Sequence, residues 1–338
     1  MLQRTGKKTI SPKNFEQIFN RLCIIRKILC TFAPNYKIKM NTTQPKLITK
    51  QMSAKLKLMA TAGLLSFIIT GCKPKTTTYS ETNVDNQLTF DTLTVSETYH
   101  LLDDTTNPCC VLEAVFIYPS GYNDRTILNK LSRQFVTAFF GENAGDMTPQ
   151  EAIDNYAKNY IADYKEIEDD FNDEIRTKGV KPVIGFSFDE TLSNEVVYNR
   201  GGILSYIISI EDYTGGAHGS RNFNNYVLNL KNGEELSEQD IFIDNFQPKL
   251  AKIIVDAIAS DYQLTNVEEL ESVGFFNINE IYPNNNFYVD AQGITYTYNI
   301  YEIAPYAIGS IDVFLSYDKI QHLIRKDSPI APLVFLKK

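Results

Sequence analysis

The chain has 338 residues, of which 43% are hydrophobic and 12% aromatic, a composition that excludes a disordered or fibrous protein. Its net charge of −8 is unevenly divided: residues 1–71 hold 13 basic residues and one acidic residue, which leaves 20 basic and 40 acidic residues from Cys72 onward. A body with a net charge of −20 repels phosphate backbones, so no nucleic-acid partner is expected. The same charge would attract a cationic protein, although it is also compatible with a role in solubility only.

Residues 52–71 have the anatomy of a signal peptide, with a basic start and an apolar stretch over residues 58–70. That stretch is shorter than the roughly 20 residues that a membrane-spanning helix needs. The motif Ile69-Thr70-Gly71-Cys72 resembles the lipobox of bacterial lipoproteins. The resemblance implies that Cys72 becomes the lipidated mature N-terminus, for example with palmitate. It also implies a membrane anchor in the cell envelope.

The segments before and after the signal peptide are not expected to belong to the folded body. Residues 1–51 are interpreted as a mis-assigned upstream extension, with Met52 as the true start, and residues 72–87 as a polar tether. Lys73 follows the lipidated cysteine, where an Asp would resemble an inner-membrane retention signal. The expected location is therefore the outer membrane, facing the periplasm, and exposure at the cell surface is left open.

The first half of the body alternates strands with helices. Residues 88–95 and 111–118 predict strands, and residues 125–140 predict a helix that Gly141 ends. A capping box at residues 148–151 begins a second helix, whose apolar stripe runs on to Ile175. Acidic residues cluster in its C-terminal half and oppose the helix dipole there, so that end is predicted to fray or to serve a partner, a solvated face being the alternative.

Strands dominate the second half. Alternating residues predict strands at 204–210, 226–230, 294–300 and 311–317, with a turn at Asn232-Gly233. Residues 237–242, 246–262 and 318–325 predict helices of different lengths. The predicted fold class is α+β, with mainly antiparallel sheets packed with helices in two small sequential domains, residues 88–205 and 206–326, followed by a tail at 327–338.

The clearest candidate site is the glycine-rich segment at residues 213–219, which joins two predicted strands. It does not fit a phosphate loop, because no helix with a Lys-Ser/Thr pair follows. Three histidines without a ligand spacing predict no metal site, and no cofactor is expected. His218 is interpreted as a structural residue of a tight turn; the alternatives are a ligand-facing loop, or an acid–base with Glu211 or Glu302. The adjacent Cys109 and Cys110 are expected to be free or intermolecular thiols, with burial as the default.

Two motifs carry a family resemblance. Residues 213–219, followed by 222–230, Asn232-Gly233 and residues 240–242, resemble an extracellular domain of unknown catalytic function. Residues 300–309 and 311–317 resemble its C-terminal signature. That domain occurs in lysozyme-receptor anti-sigma factors, beside the catalytic domain of some peptidoglycan deacetylases, and in envelope lipoproteins. A smaller α+β domain usually precedes it, and residues 88–205 are similar to that partner.

The resemblance implies a binding or sensing module without an output domain. We expect a non-enzymatic protein with no catalytic residues that binds a lysozyme-like cationic protein, from the envelope or from a host, or peptidoglycan. The candidate binding residues are Tyr213, Gly215, Gly216, His218, Gly219 and Tyr306. The alternatives are a structural envelope lipoprotein without a small ligand, and a peptidoglycan hydrolase or deacetylase that uses His218.

Overall fold

The computed structural model describes residues 86–335 of the chain. The predicted upstream extension, the signal peptide, Cys72 and nearly all of the tether lie outside the described residues. Within residues 86–335, no helix combines the length and the apolar character needed to cross a membrane. All of these residues belong to one compact unit.

Six strands form the larger sheet, and they lie side by side in the order of the sequence. Their bounds are β1 Thr89–His100, β2 Cys109–Gly121, β3 Phe188–Arg200, β4 Ile203–Thr214, β5 Ser220–Asn229 and β6 Glu234–Glu235. Neighbouring strands are antiparallel except β2 and β3, which are parallel from Cys110↔Phe188 to Val115↔Ser193. A parallel pair needs a long crossover, and the helices of the first half provide it.

The crossover contains three helices, α1 Arg125–Phe140, α2 Pro149–Lys165 and α3 Glu168–Lys178. Helix α1 has the predicted bounds, because the side chain of Asp124 caps its first turn and Gly141, at φ +92°, ends it. Its apolar side packs on the sheet, where Phe135 stacks on Tyr206 with the ring centroids 3.9 Å apart. Burial of each such side chain contributes about 1.5–3 kcal/mol.

The single helix predicted from the capping box to Ile175 is wrong. The capping box at Thr148 is confirmed, but α2 ends at Lys165, and Ile167 has a non-helical backbone before α3 begins. The apolar spacing continues across this break because Tyr164 and Phe171 pack into the same small cluster. The acidic residues 168–170 therefore lie in the first turn of a new helix, where they stabilise the dipole instead of opposing it.

The second half builds a smaller sheet and its covering helices. The strands are β7 Phe287–Val289, β8 Gly293–Tyr298 and β9 Ile311–Ser316, all antiparallel. The helices are α4 Glu238–Ile241, α5 Gln247–Asp261, α6 Glu269–Ser272, α7 Tyr317–Ile320 and α8 Ala331–Phe335. Leu250, Ile254 and Ile258 of α5 share one core with the buried side chains of β8 and β9. The predicted α+β class with mainly antiparallel sheets is confirmed.

Two predicted segment limits differ from the observed elements. The limit between residues 205 and 206 falls inside β4, and the larger sheet continues to Glu235. Alternation predicts a strand but does not say which sheet it joins. The segment predicted as a tail, 327–338, includes α8, and its Ile330 and Val334 are buried in the second core.

Cys109 and Cys110 are the first two residues of β2. Both are free thiols, and burial raises the pKa of Cys110.

The edge of β5 is closed by side chains instead of a full strand. Strand β6 pairs with β5 only at Leu228 and Asn229, so within residues 86–335 the rest of β5 has no second partner strand. Asn286 and Asn299 take its place, because their side chains bond to the backbone of β5. Asn284 bonds to Asn286 N, and Asn225 of β5 itself bonds to Thr297. These four residues are called the asparagine seam. An unpaired strand edge is a site for aggregation, and the seam covers it.

The seam also joins the two sheets. Asn286 Oδ1 accepts a hydrogen bond from Asn225 N at 2.8 Å, and its Nδ2 donates to the carbonyl oxygens of Phe223 and Thr297, both at 2.9 Å. Asn299 Oδ1 accepts from Phe223 N at 2.7 Å. Buried backbone groups must find partners, and here side chains of the smaller sheet and its loops supply them.

Candidate functional site

The glycine-rich turn, residues 213–219, connects β4 to β5 as predicted. Of its three glycines, Gly215 has a positive φ of +77°, a conformation that side chains with a Cβ disfavour. A Cβ on Gly219 would lie 2.7 Å from the carbonyl oxygen of Asp212, which is too close. The tight backbone path therefore depends on glycine for two different reasons. The turn is tied to its own strand by a hydrogen bond from Tyr213 OH to Gly216 O at 3.0 Å.

His218 and Tyr306, which are distant in sequence, lie together at this turn. Their rings stack with centroids 3.9 Å apart and an angle of 25° between the planes. Tyr306 comes from the short helical turn Tyr306–Ile308, between β8 and β9. The ring of Tyr301 lies next to Tyr306, at 6.0 Å. The two sequence motifs thus meet at one place, and they present partly exposed aromatic rings there.

Beside this stack lies a cleft of about 630 Å³. Its lining includes Asp189, Glu211, Asp212, Tyr213, Arg221 and Tyr306, and this set is called the acidic cleft. Strand register brings the acids together, because β3 and β4 pair Asp189 with Tyr213 and Thr191 with Glu211. Arg221 forms an ion pair with Glu211 at 2.9 Å. Asp189 and Glu211 lie on the same face of these strands as Arg221, and Asp212 lies on the other face, so the acids outnumber the single arginine here.

The buried side of the same strands holds a further acid. Glu190 pairs with Asp212 across β3 and β4 and accepts a hydrogen bond from Tyr156 OH at 2.5 Å. Burial, and then the charge of Asp212, raise the pKa of Glu190 above its ordinary value, although the Tyr156 hydrogen bond opposes the shift. Asp212 in turn accepts a hydrogen bond from Ser220 Oγ. Acidic side chains therefore lie on both faces of the sheet at this end.

His218 forms no hydrogen bond or ion pair with Glu211 or Glu302. Its Nδ1 lies 3.2 Å from Gly219 O. The two carboxylates that the sequence offered as partners are engaged elsewhere: Glu211 pairs with Arg221, and Glu302 accepts from the backbone N–H of Asn299 at 2.6 Å. Within residues 86–335, no group of three or more potential ligand side chains could hold a metal ion.

Sequence reasoning identified the turn and Tyr306 but missed most of the cleft. Asp189 precedes the turn by 24 residues in sequence, and only the β3–β4 register places it there. Asp212 and Arg221 flank the turn directly, so the pattern of acids before the glycines and a base after them was a usable signal. Tyr213, Gly219 and Tyr306 line the cleft, whereas His218 contacts it through the Tyr306 ring.

The architecture defines an α+β protein in which two sheets meet at an open polar site. The family model described as a protein of unknown function (DUF3298) matches residues 239–318, and the model described as deacetylase PdaC matches residues 109–221. A crystal structure of a DUF3298 family member from Bacteroides fragilis NCTC 9343 shares 30% sequence identity, with a TM-score of 0.70. The similarity covers 75% of this chain and 99% of that one. The chain belongs to the DUF3298 family, which confirms the resemblance found in its two motifs.

A second family structure is more distant. The DUF3298 protein from Pseudomonas aeruginosa PAO1 shares 14% identity over 70% of this chain and 95% of its own, with a TM-score of 0.49. The comparison with curated proteins found no match. The family description assigns no function. The side chains that line the site are therefore the basis for a proposal.

Proposed function

We propose that the protein is a lipid-anchored binding module of the bacterial cell envelope that takes a cationic segment of a protein ligand into its acidic cleft without chemical turnover. The observation that carries the proposal is the cleft, in which Asp189 and Glu211 share one face of the strands with a single paired arginine, beside partly exposed tyrosine rings. Carboxylates attract a Lys or Arg side chain, and the faces of aromatic rings bind such cations.

The charge of the whole body supports the same kind of ligand. A net charge of −20 beyond Cys72 would raise the association rate with a cationic protein. The resemblance to lysozyme-receptor domains makes a basic lysozyme the first ligand to test, and peptidoglycan the second. The hydrolase alternative has less support, because His218 stacks on a ring and bonds neither Glu211 nor Glu302.

Binding is tested with the full chain in mild detergent against a basic lysozyme, at low and at physiological salt. We expect affinity to fall with salt, since the Debye length is about 8 Å at 0.15 M. Tyr306→Ala should raise Kd by about tenfold or more, as expected for a central aromatic contact, and Asp189→Asn should slow association. Glu142→Gln removes an equal charge at an exposed helical turn outside the cleft and serves as the matched control.

Two results would overturn the proposal. The first is no lysozyme binding even at low salt, or binding that neither cleft variant changes. The second is cleavage or deacetylation of peptidoglycan by the wild type that His218→Ala abolishes, because this would make the site catalytic.

The anchor requires its own experiment. Metabolic labelling with a palmitate analogue should mark the wild-type protein, and Cys72→Ser should remain unlabelled. Label that persists in the variant would contradict lipidation at this residue. The start at Met52 is tested in the same cells, because a chain that begins there should reach the envelope as efficiently as the longer one.

A further inference from the structure

A second pocket of about 480 Å³ adjoins the acidic cleft. It lies where the larger and smaller sheets meet and shares Glu211 and Arg221 with the cleft. Side chains from both sheets line it, including Ser209 of β4 and Tyr288 of β7. Its volume is within the range of about 300–1,000 Å³ that small-ligand sites occupy.

One buried amide in this pocket is only half satisfied. Asn225 is 6% exposed, and its Nδ2 donates to Thr297 Oγ1 at 2.8 Å. Thr297 Oγ1 donates in turn to Asp312 Oδ1 at 2.7 Å, so this chain of donors fixes which way the amide faces. Asn225 Oδ1 is left without a hydrogen-bond partner within residues 86–335. A buried acceptor without a partner costs stability unless a ligand or water donates to it.

The rest of the lining combines charged groups with neutral hydroxyls, and the charged groups are Glu195, Glu211, Asp312 and Arg221. The hydroxyl groups of Ser193, Ser209 and Tyr288 make no side-chain hydrogen bond within the described residues, so they are available to donate and to accept. Ile207 and Phe223 add an apolar surface between these groups. Polar groups that alternate with apolar ones match a sugar ring, whose hydroxyls point outward from a hydrocarbon frame.

We propose that this pocket binds one sugar residue of a neutral glycan, with Asn225 Oδ1 accepting from a hydroxyl or an acetamido N–H. The site goes beyond the proposed capture of a cationic protein, because its hydroxyls, carboxylates and guanidinium group can all bond to the hydroxyls of an uncharged sugar. The glycan can continue into the acidic cleft past the shared Glu211–Arg221 pair.

The test titrates the full chain with two neutral disaccharides, N,N′-diacetylchitobiose and cellobiose, by calorimetry and by saturation-transfer NMR. Ser209→Phe should abolish binding, since the ring fills the pocket and suits a strand beside Phe223, its cross-strand neighbour. Ser96→Phe adds the same ring at an exposed position of β1 that does not line this pocket and should bind normally. Tyr288→Phe removes one free hydroxyl and should raise Kd about threefold to tenfold.

Binding of either disaccharide that is insensitive to salt and lost in Ser209→Phe supports the inference. Absence of binding at millimolar sugar, or equal binding by wild type, Ser209→Phe and Tyr288→Phe, overturns it. Lysozyme binding by the same variants separates the two proposals, because Ser209→Phe should leave the acidic cleft intact. If Ser209→Phe melts early, the Tyr288→Phe titration decides the outcome.

Discussion

Strand β5 is held differently along its length. At its beginning, Ser220 follows the glycine-rich turn, which is partly exposed and whose Tyr213 lines an open cleft. Along its middle, Phe223 and Asn225 are tied to the smaller sheet by the asparagine seam. Apart from Asn225 Oδ1, the side-chain amides of the seam bond to other groups of the fold. By contrast, Asp189 and Tyr306 of the acidic cleft make no side-chain hydrogen bond within residues 86–335. A cluster of polar side chains can therefore bind a ligand only where its hydrogen-bonding groups have no partner within the fold.

The largest effect should come from breaking the seam at Asn286. Asn286→Ala removes its bonds to Asn225 N, Phe223 O and Thr297 O. Asn225 N is then left without a partner, whereas Phe223 O keeps its bond from Asn299 and Thr297 O keeps its bond from Asn284. We expect the free energy of unfolding to fall by about 2–4 kcal/mol, measured by chemical denaturation. Asn279→Ala, which removes only contacts within an exposed turn, is the control and should have little effect. Equal stability of the two variants would show that the seam does not hold the sheets together.

The next effect concerns the backbone of the turn. Gly215→Ala puts a Cβ at positive φ and within 2.5 Å of Gly185 Cα, and Gly219→Ala puts one 2.7 Å from Asp212 O. Each should lower stability by about 1–3 kcal/mol, less than the seam variant, because the loop can shift toward solvent. Gly216→Ala, at a residue without a positive φ, should cost less than either. Unchanged melting temperatures for all three would mean that the glycines serve flexibility or ligand contact.

Local signals in the sequence predicted the elements well, but not their arrangement. The bounds of α1 followed from Asp124, Gly141 and the apolar stripe between them, all of which act over a few residues. The break between α2 and α3 did not, because Tyr164 and Phe171 keep the apolar spacing through it. Alternation also gave β4 as a strand, while its membership of the larger sheet depends on pairing with β3, which local patterns do not encode.

The residues of the candidate site were likewise predicted only in part from the sequence. Tyr213, Gly219 and Tyr306 were predicted from two motifs, and they do line one cleft. Asp189 was missed because strand register alone brings it to Tyr213. Asn284 and Asn286 were missed although three asparagines follow Pro283 directly, since a run of asparagines is typical of any loop. What distinguishes them is the unpaired edge of β5, a property of the folded sheet.

A smaller effect is expected at Glu238, which bonds to the loop that contains Asn284 and Asn286. Glu238 is buried and exchanges hydrogen bonds with Asn285, at 3.0 Å and 2.9 Å. Burial raises its pKa, so the native state holds this proton more tightly than the unfolded chain, and stability from this group is lost as pH rises through the folded pKa. Glu238→Gln keeps an acceptor for Asn285 N without the charge. At neutral pH we expect the free energy of unfolding of Glu238→Gln to be within about 1 kcal/mol of the wild-type value or slightly above it. As the pH rises above 4.5, the variant should lose less stability than the wild type. A strongly destabilised Glu238→Gln would show that the charged form is required.

The smallest effect should have the opposite sign and should appear at the acidic cleft. Asp189, Glu211 and Asp212 crowd like charges at one end of β3 and β4, and of these Glu211 has Arg221 as its counter-ion. Surfaces kept for binding often give up some stability in this way. Asp189→Asn should therefore raise the melting temperature by about 1 °C at low salt, and by less as salt screens the repulsion.

Glu142→Gln is again the control, since it removes an exposed charge from a helical turn outside the cleft. Its melting temperature should stay at the wild-type value. The two kinds of substitution should then change stability in opposite directions. Replacing a polar group of the seam should destabilise the protein, whereas replacing a polar group of the cleft should stabilise it. If Asp189→Asn both lowers the melting temperature and leaves lysozyme association unchanged, Asp189 belongs with the seam, as a structural residue, and the cleft loses its first candidate contact for a cation.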